Sequence, residues 1–205
     1  MTSAARLMAI LIAATAIAAL VAQGVVSAGL AGDASPLRVI WTMAAYFTVL
    51  VNLLVAFHFL RVSVQGRMGT AGWNGAMLVW IVTVGVTYHI ALSGLWAPKG
   101  MAWWADQGLH TATPVLVVIW WLAFAPKSPL EWRHPWLWAI LPLVYCVYAL
   151  LRGVVTGAYA YPFIDLAALG PLRTALNVAG LTLGFVLGGY GLLVVARSLQ
   201  GLARR

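Results

Sequence analysis

Six long apolar runs with few charged residues decide what this chain can fold into. They cover residues 7–30, 39–60, 77–96, 111–125, 136–151 and 174–196. A helix needs about 20 apolar residues to cross a bilayer, and four of the runs are that long. The fourth and fifth runs reach this length when residues 103–110 and the flank up to Val154 are added. We therefore predict an all-α, polytopic membrane bundle of six transmembrane helices, in a single domain over 1–205.

The composition agrees with an integral membrane protein. Hydrophobic residues make up 63% of the chain and charged residues 8%, which is far more apolar than a soluble domain. The net charge of +8 does not indicate a nucleic-acid partner, because the twelve Lys and Arg residues lie at the edges of the runs and not in one patch. Cys146 is the single cysteine, so no intrachain disulfide can form. The expected partner is the lipid bilayer, and no protein partner can be identified.

The distribution of basic residues predicts the orientation of the helices. One side of the predicted bundle carries eight of them: Arg6, Arg61, Arg67, Lys127, Arg133, Arg197, Arg204 and Arg205. The other side carries four, together with three aspartates: Arg38, Lys99, Arg152 and Arg173, with Asp33, Asp106 and Asp165. Basic residues are enriched on the cytoplasmic side, so both termini should be cytoplasmic. A compact chain rich in Ala, Arg and Gly favours a bacterial plasma membrane.

The first run has an alternative interpretation as a secretory signal peptide. Arg6 precedes an apolar stretch with small residues near Ala22, which is typical of such signals. The run exceeds the roughly 7 to 15 apolar residues of a usual signal peptide, which favours a retained helix. Cleavage would leave five helices.

Thr48 and Asn52 are polar residues inside the second run. Thr48 is predicted about ten residues into its helix, or about 15 Å deep, with Asn52 one turn further on the same face. The ordinary explanation is that Thr48 bonds to a backbone carbonyl and Asn52 joins two helices.

The stretch 103–114 places an ionisable residue, His110, in the fourth predicted helix. Such a residue indicates a functional site. His110 lies six residues after Trp104, about 9 Å into the same outer half of the bilayer as Thr48. Asp106, one turn earlier, can orient the imidazole. Pro114 cannot donate to the carbonyl of His110 and should bend the helix, although a bent helix end is also ordinary packing.

The other histidines bear on possible cofactors. His58 is predicted near the inner end of the second helix and His89 near the outer end of the third, so these two cannot share a haem. A pair formed by His89 and His110 stays open as a haem site. The chain has no zinc-type pattern of His and Cys, and we expect no metal and no cofactor.

The outer loop 157–165 combines aromatic residues, a proline and an acid. It contains Tyr161 and Asp165, and Arg152 precedes it on the fifth helix. The loop could cover an outer cavity or lie at the membrane interface. Arg152 could pair with Asp165, meet an anionic head group, or extend to the interface.

Four motifs in order resemble one known family. They are Tyr-Phe-Thr-Val-Leu-Val-Asn at 46–52, His-Thr-Ala-Thr-Pro-Val-Leu at 110–116, Arg152-Gly153, and Tyr-Pro-Phe-Ile-Asp at 161–165. This pattern resembles the androgen-induced protein family, which includes the androgen-dependent TFPI-regulating protein and six-span bacterial relatives. Its animal members are membrane threonine hydrolases that cleave fatty acid esters of hydroxy fatty acids. By motif position, the resemblance implies Thr48 and His110 as the essential pair.

The chain departs from the family pattern at two places. Animal members read Asn-His-x-x-His-Thr where this chain has residues 106–111, so the earlier histidine is absent here. The acid after Tyr-Pro-Phe is Asp165 and not Glu. If the earlier histidine helps to place the substrate, these differences imply a different choice of substrate.

The chemistry that the resemblance implies is a two-step ester hydrolysis. A threonine hydroxyl needs a nearby base, which would be His110, with Asp106 as a possible orienting acid. Candidate donors to the oxyanion are Asn52, Tyr161 and a backbone amide near Pro114. The alternative function is a non-catalytic transporter or lipid-binding bundle that uses the same polar residues. Transporters often contain internal repeats, and the two halves of this chain show no convincing similarity.

Overall fold

The computed structural model describes residues 1–31 and 35–203, and all regular secondary structure in that part of the chain is helical. Six helices there are long and apolar enough to cross a membrane: Ser3–Gly29, Phe47–Gln65, Ala71–Leu92, Met101–Phe124, His134–Thr156 and Leu166–Leu202. The predicted all-α bundle with six membrane-spanning helices is therefore confirmed, while the orientation of the termini stays a prediction. Asp33, Arg204 and Arg205, on which that orientation partly depends, lie outside the described residues.

The elements follow one another with short connections. They are α1 (Ser3–Ala31), α2 (Pro36–Met43), α3 (Phe47–Gln65), α4 (Ala71–Thr87), a first π turn (Tyr88–Leu92), α5 (Met101–Gln107), a second π turn (Gly108–Ala112), α6 (Thr113–Phe124), α7 (His134–Thr156), a 3₁₀ turn (Pro162–Ile164) and α8 (Leu166–Ala203). The chain forms two compact units, Met1–Pro129 with α1 to α6, and Leu130–Arg205 with α7 and α8. The single domain over 1–205 stays a prediction.

Helix α1 packs as an integral part of the first unit. Small residues on one of its faces are buried: Ala5, Ala9, Ala16 and Ala19. Such residues let helix backbones approach closely. The buried indole of Trp120 donates to the carbonyl of Ala5 at 3.1 Å, and the Arg6 guanidinium donates to the carbonyl of Ser63 at 2.7 Å. Because α1 satisfies a buried donor of α6, these contacts favour a retained helix over a cleaved signal.

The second apolar run is interrupted, which corrects the predicted position of Thr48. Helix α2 ends at Met43, and Tyr46 has extended backbone angles (φ −105°, ψ 126°) before α3 begins at Phe47. Thr48 is thus the second residue of α3 and not about ten residues into a helix, so its predicted place in the helix was wrong. Its depth in the bilayer stays a prediction. The break contains no Gly or Pro, and apolar residues lie on both sides of it. Hydropathy therefore could not mark it.

Two π turns and two glycines shape the centre of the first unit. Pro114 cannot form the α-helical bond to the carbonyl of His110, and the second π turn ends two residues before it. The predicted irregularity at Pro114 thus takes the form of a π turn. A Cβ built on Gly85 would lie 2.9 Å from the His110 carbonyl oxygen, and one on Gly108 would lie 2.5 Å from the Cβ of Ala19. Glycine therefore allows α4 and α1 to approach the second π turn.

His58 belongs to a hydrogen-bonded cluster at the start of α4. Its Nδ1 accepts from the indole of Trp73 at 3.1 Å, so its Nε2 carries the proton and donates to Oδ1 of Asn74 at 3.0 Å. The Asn74 amide donates to the carbonyls of Met68 and Thr70, both at 2.8 Å. Asn74 and His89 are 15 residues apart along the third span, about 22 Å. The predicted separation of His58 from His89 is confirmed, and His58 has a structural role.

In the second unit, α7 and α8 pack against each other. The indole of Trp136 donates to the Tyr190 hydroxyl at 2.9 Å. Helix α8 contains a kink at Gly170 (φ 74°, ψ 167°), directly before Pro171. The sixth apolar run, predicted from residue 174, begins just after this kink.

Candidate functional site

Four of the seven predicted site residues lie in the first unit, where α3 meets the second π turn. Asn52 is fully buried, and its amide nitrogen donates to the carbonyls of Thr48 at 2.9 Å and Leu109 at 3.2 Å. Asn52 therefore joins α3 to the residue that precedes His110, as predicted for a polar residue between two helices. Its Oδ1 atom is buried and has no hydrogen-bond partner among the described residues.

The two predicted catalytic residues are connected indirectly. Thr48 is buried, with 8% of its surface exposed. The carbonyls of Thr48 and Leu109 share the amide of Asn52, which places Thr48 and His110 in the same region of the first unit. A proton transfer between their side chains stays a prediction.

The position of the His110 ring determines which nitrogen can act as a base. The ring stacks on Tyr88, with centroids 4.0 Å apart and planes inclined by 13°. Its Nδ1 lies 3.1 Å from the carbonyl oxygen of Asp106 and 3.3 Å from the carboxylate Oδ1 of the same residue. A nitrogen between two acceptors carries the proton, so Nε2 of the neutral ring keeps its lone pair. Within the described residues, Nε2 has no hydrogen bond.

Asp106 is a buried carboxylate with several polar neighbours. It is 1% exposed, and its Oδ2 accepts from the Tyr88 hydroxyl at 2.5 Å and from the Gln107 amide at 3.2 Å. Its Oδ1 contacts His110 without hydrogen-bond geometry and has no other partner in the described chain. A carboxylate in a membrane bundle requires such partners. The predicted proximity of Asp106 and His110 is confirmed.

His110 lines a groove of about 400 Å³ on the first unit. The apolar walls come from the third and fourth spans: Val82, Gly85, Val86, Ile90, Pro114, Val115, Val118 and Ile119. The polar lining residues lie at the π turns: His89, His110 and Thr111. Helix α3 contributes none of these described lining residues, so Thr48 does not line the groove.

Sequence reasoning missed a series of hydrogen-bonded polar side chains that begins at His89, beside this groove. Nε2 of His89 lies 3.1 Å from the Thr111 hydroxyl, which donates to Oε1 of Gln107 at 3.1 Å. The amide nitrogen of Gln107 donates in turn to Asp106. The four-residue spacing of Gln107 and Thr111 predicts their contact on a helix. No sequence signal connects either residue to His89, which we considered only as a possible haem ligand.

Arg152, Tyr161 and Asp165 belong to the second unit. The Arg152 guanidinium donates to the Tyr148 hydroxyl at 3.1 Å, and the Tyr161 ring stacks on Phe163 with centroids 5.0 Å apart. Oδ1 of Asp165 accepts from a backbone N–H in the first turn of α8 at 3.0 Å, which is the position of a helix cap. Any part that these three residues play with His110 stays a prediction.

Comparison with known proteins adds no assignment. No protein-family model matches the chain, and it has no significant match among curated proteins or solved structures. The likeness of the four motifs to the androgen-induced protein family therefore stays a resemblance. Among the described residues, no three His, Cys, Asp or Glu side chains are grouped as metal ligands.

Proposed function

We propose that this protein is an integral membrane hydrolase of lipid esters in which His110 is the base. The observation that carries the proposal is the orientation of the imidazole. Nδ1 faces two oxygens of Asp106, and this leaves the lone pair of Nε2 available in a ring that lines an apolar groove. A general base needs an unprotonated atom on the side of the substrate, and apolar walls suit an acyl chain.

The resemblance assigns the nucleophile to Thr48. In the proposed reaction, Nε2 of His110 takes the proton of the Thr48 hydroxyl while the Thr48 oxygen attacks the ester carbonyl. The tetrahedral intermediate then expels the alcohol, which takes up that proton, and an acyl-threonine remains. Water attacks the acyl group with the same nitrogen as base, which releases the carboxylic acid and restores the hydroxyl. The Asp106 carboxylate, 3.3 Å from Nδ1, would stabilise the imidazolium between these steps.

The hydrogen bonds of Asn52 bear on the choice of oxyanion donor. Its amide nitrogen has two hydrogens, and both donate to backbone carbonyls. Asn52 is therefore a weaker candidate than a backbone amide near Pro114, since a preorganised donor must be available to the developing charge. Tyr161 stays a candidate.

We further propose that both termini are cytoplasmic in a bacterial plasma membrane. The bond from Arg6 to Ser63 brings the start of α1 to the end of α3, beside Arg61 and Arg67 in sequence. Lys127 lies at the end of α6, whose Trp120 contacts the start of α1. Four of the six basic residues of the first unit, Arg6, Arg61, Arg67 and Lys127, thus lie towards one end, which supports a cytoplasmic location of that end.

Labelling with a fluorophosphonate probe tests the hydrolase proposal. The detergent-solubilised protein should be labelled, and mass spectrometry should place the label on Thr48. Thr48→Ala and His110→Ala should each lower labelling by about 100-fold or more, while His134→Ala, which changes a histidine in the second unit, should not. Thr111→Ala is a useful comparison, because the Thr111 hydroxyl lies 3.1 Å from an imidazole.

The results test two questions separately: whether the protein is a hydrolase, and which threonine is the nucleophile. A label on Thr111 would retain the hydrolase and reject Thr48. Unchanged labelling of both Thr48→Ala and His110→Ala, or no labelling of the folded wild-type protein, would reject the hydrolase.

One observation favours a second candidate function, a non-catalytic transporter or lipid-binding bundle. The groove contains His110 but no residue of α3, so a bound lipid could contact the imidazole without reaching Thr48. Saturable lipid binding that is unaffected by Thr48→Ala, together with no probe labelling, would support this candidate.

A further inference from the structure

Two imidazoles line the polar end of the groove beside His110, and both contact one tyrosine ring. The Tyr88 ring stacks on His110 with centroids 4.0 Å apart and contacts the His89 ring edge to face at 5.1 Å. Thr111 is the third polar lining residue, while Ile119 lies two helical turns beyond the second π turn, about 11 Å along the helix. The groove therefore has a polar end and an apolar length.

The hydrogen bonds of His89 determine which of its nitrogens is an acceptor. The amide nitrogen of Gln107 donates to the Asp106 carboxylate, so the amide oxygen accepts from the Thr111 hydroxyl. The Thr111 oxygen in turn accepts from Nε2 of His89. Nδ1 of the neutral His89 ring therefore keeps a lone pair, and no hydrogen bond from the described residues satisfies it.

The polar end of the groove thus offers acceptors to a ligand and no unused side-chain donor. Nε2 of His110 also keeps its lone pair, because Nδ1 faces the two oxygens of Asp106. The side-chain donors of the described lining residues are already used: Nε2–H of His89, Nδ1–H of His110 and the hydroxyl of Thr111. A carboxylate head group only accepts hydrogen bonds, so it would face these lone pairs without a donor. A head group that suits this end must donate.

The lining also favours a neutral head group over a charged one. None of the described lining residues is Lys, Arg, Asp or Glu, so an ammonium would lose hydration there without a permanent counter-ion. Hydroxyl groups are neutral donors. A glycerol with a single chain carries two of them, one for each imidazole.

We infer that this groove binds a glycerol with one chain, such as a monoacylglycerol or a glycerol monoether. Its hydroxyls donate to Nδ1 of His89 and Nε2 of His110, and its chain lies along the apolar walls towards Ile119. The wall residues Val86, Val115 and Ile119 are about half exposed, so a chain can reach them from the bilayer. The inference concerns binding and holds whether or not an ester is cleaved.

A comparison of two ligands with the same chain tests the head-group site. One is radiolabelled oleyl glycerol ether, and the other is the same compound with both hydroxyls methylated, so that it has no donor. Binding to the full-length protein should be measured in nanodiscs of phosphatidylcholine, whose head group has no hydrogen-bond donor. Empty nanodiscs give the partitioning of each ligand into lipid. After this correction, the wild-type protein should prefer the diol by about tenfold or more, the range of two neutral hydrogen bonds.

Two variants separate the head-group site from the walls. His89→Phe keeps an aromatic ring but removes the acceptor, and it should lower the preference for the diol by about fivefold, the range of one neutral hydrogen bond. His134→Phe, in the second unit, should leave the preference unchanged. Val86→Trp places a large side chain on an exposed wall position and should lower the affinity for both ligands.

Three results would overturn the inference. They are an unchanged preference in His89→Phe, undiminished binding of both ligands to Val86→Trp, and binding of oleate at least as tight as that of the diol. Neither ether contains an ester, so these results do not depend on the labelling of Thr48.

Discussion

The close approach of Gly108 to Ala19 gives a quantitative test of how α1 packs on the second π turn. A Cβ on Gly108 would lie 2.5 Å from the Cβ of Ala19, whereas ordinary contacts begin at 3.4 Å, so Gly108→Ala must separate the two helices by about 0.9 Å. Overpacking of this kind costs about 1 to 3 kcal/mol. Alanine gains about 1 kcal/mol in helix propensity over glycine, so the net destabilisation should be about 0 to 2 kcal/mol.

The reciprocal change isolates the clash from helix propensity. With Ala19→Gly, the nearest atom to the new Cβ is the Cα of residue 19 at 3.5 Å, an ordinary contact. The double variant Gly108→Ala/Ala19→Gly exchanges one methyl group between the helices, and its propensity terms cancel. Its stability should therefore be close to that of the wild type. The coupling energy of the double-mutant cycle should equal the clash, about 1 to 3 kcal/mol.

Unfolding in mixed micelles of maltoside and SDS, followed by circular dichroism, measures all four proteins. Gly191→Ala is a matched control, because a Cβ at that position meets no atom within 4 Å, and it should not destabilise the protein. A coupling energy near zero, or a double variant no more stable than Gly108→Ala, would refute the packing of α1 against the second π turn.

Two further predictions follow from the fold. Asn74→Leu should lower the free energy of unfolding by about 2 to 4 kcal/mol, because it leaves the His58 N–H and the Met68 carbonyl without this partner and removes the side-chain donor to the Thr70 carbonyl. Trp73→Phe, which removes one donor and keeps a ring, should cost less when measured by the same unfolding assay. For the orientation, a reporter that is active only outside the cytoplasm should be inactive when fused after residue 205 and active when inserted near Lys99. The opposite pattern would reverse the proposed topology.

The parts of the fold that were predictable depend on local sequence. The extension of the fourth span to residue 103 and of the fifth to Val154 followed from length, and the helices Met101–Phe124 and His134–Thr156 bear it out. The contact of Asp106 with His110 followed from a four-residue spacing. The break before Phe47 was not predictable, because the apolar pattern continues through it.

The parts that were missed depend on contacts between distant residues. His89 and Thr111 are 22 positions apart, and their hydrogen bond exists because the two π turns lie side by side. A single sequence carries no periodic signal for such a pair. The predicted proximity of the Thr48 and His110 side chains also depends on distant residues, namely on how α3 crosses the fourth span, and it stays a prediction. The hydrogen bonds of Asn52 bring the two segments together.

The second π turn also sets the rotational phase of the fourth span. A π turn accommodates one more residue than an α-helical turn, and each residue advances a helix by about 100°. The faces that carry Asp106 and Val115 are therefore offset by that angle from their positions on an uninterrupted helical wheel. If this turn became α-helical without loss of a residue, the fourth span would still be a continuous helix of full membrane length. Val115 and Ile119 would then turn by about 100° relative to Asp106, and the groove would lose one wall while the span itself remained intact.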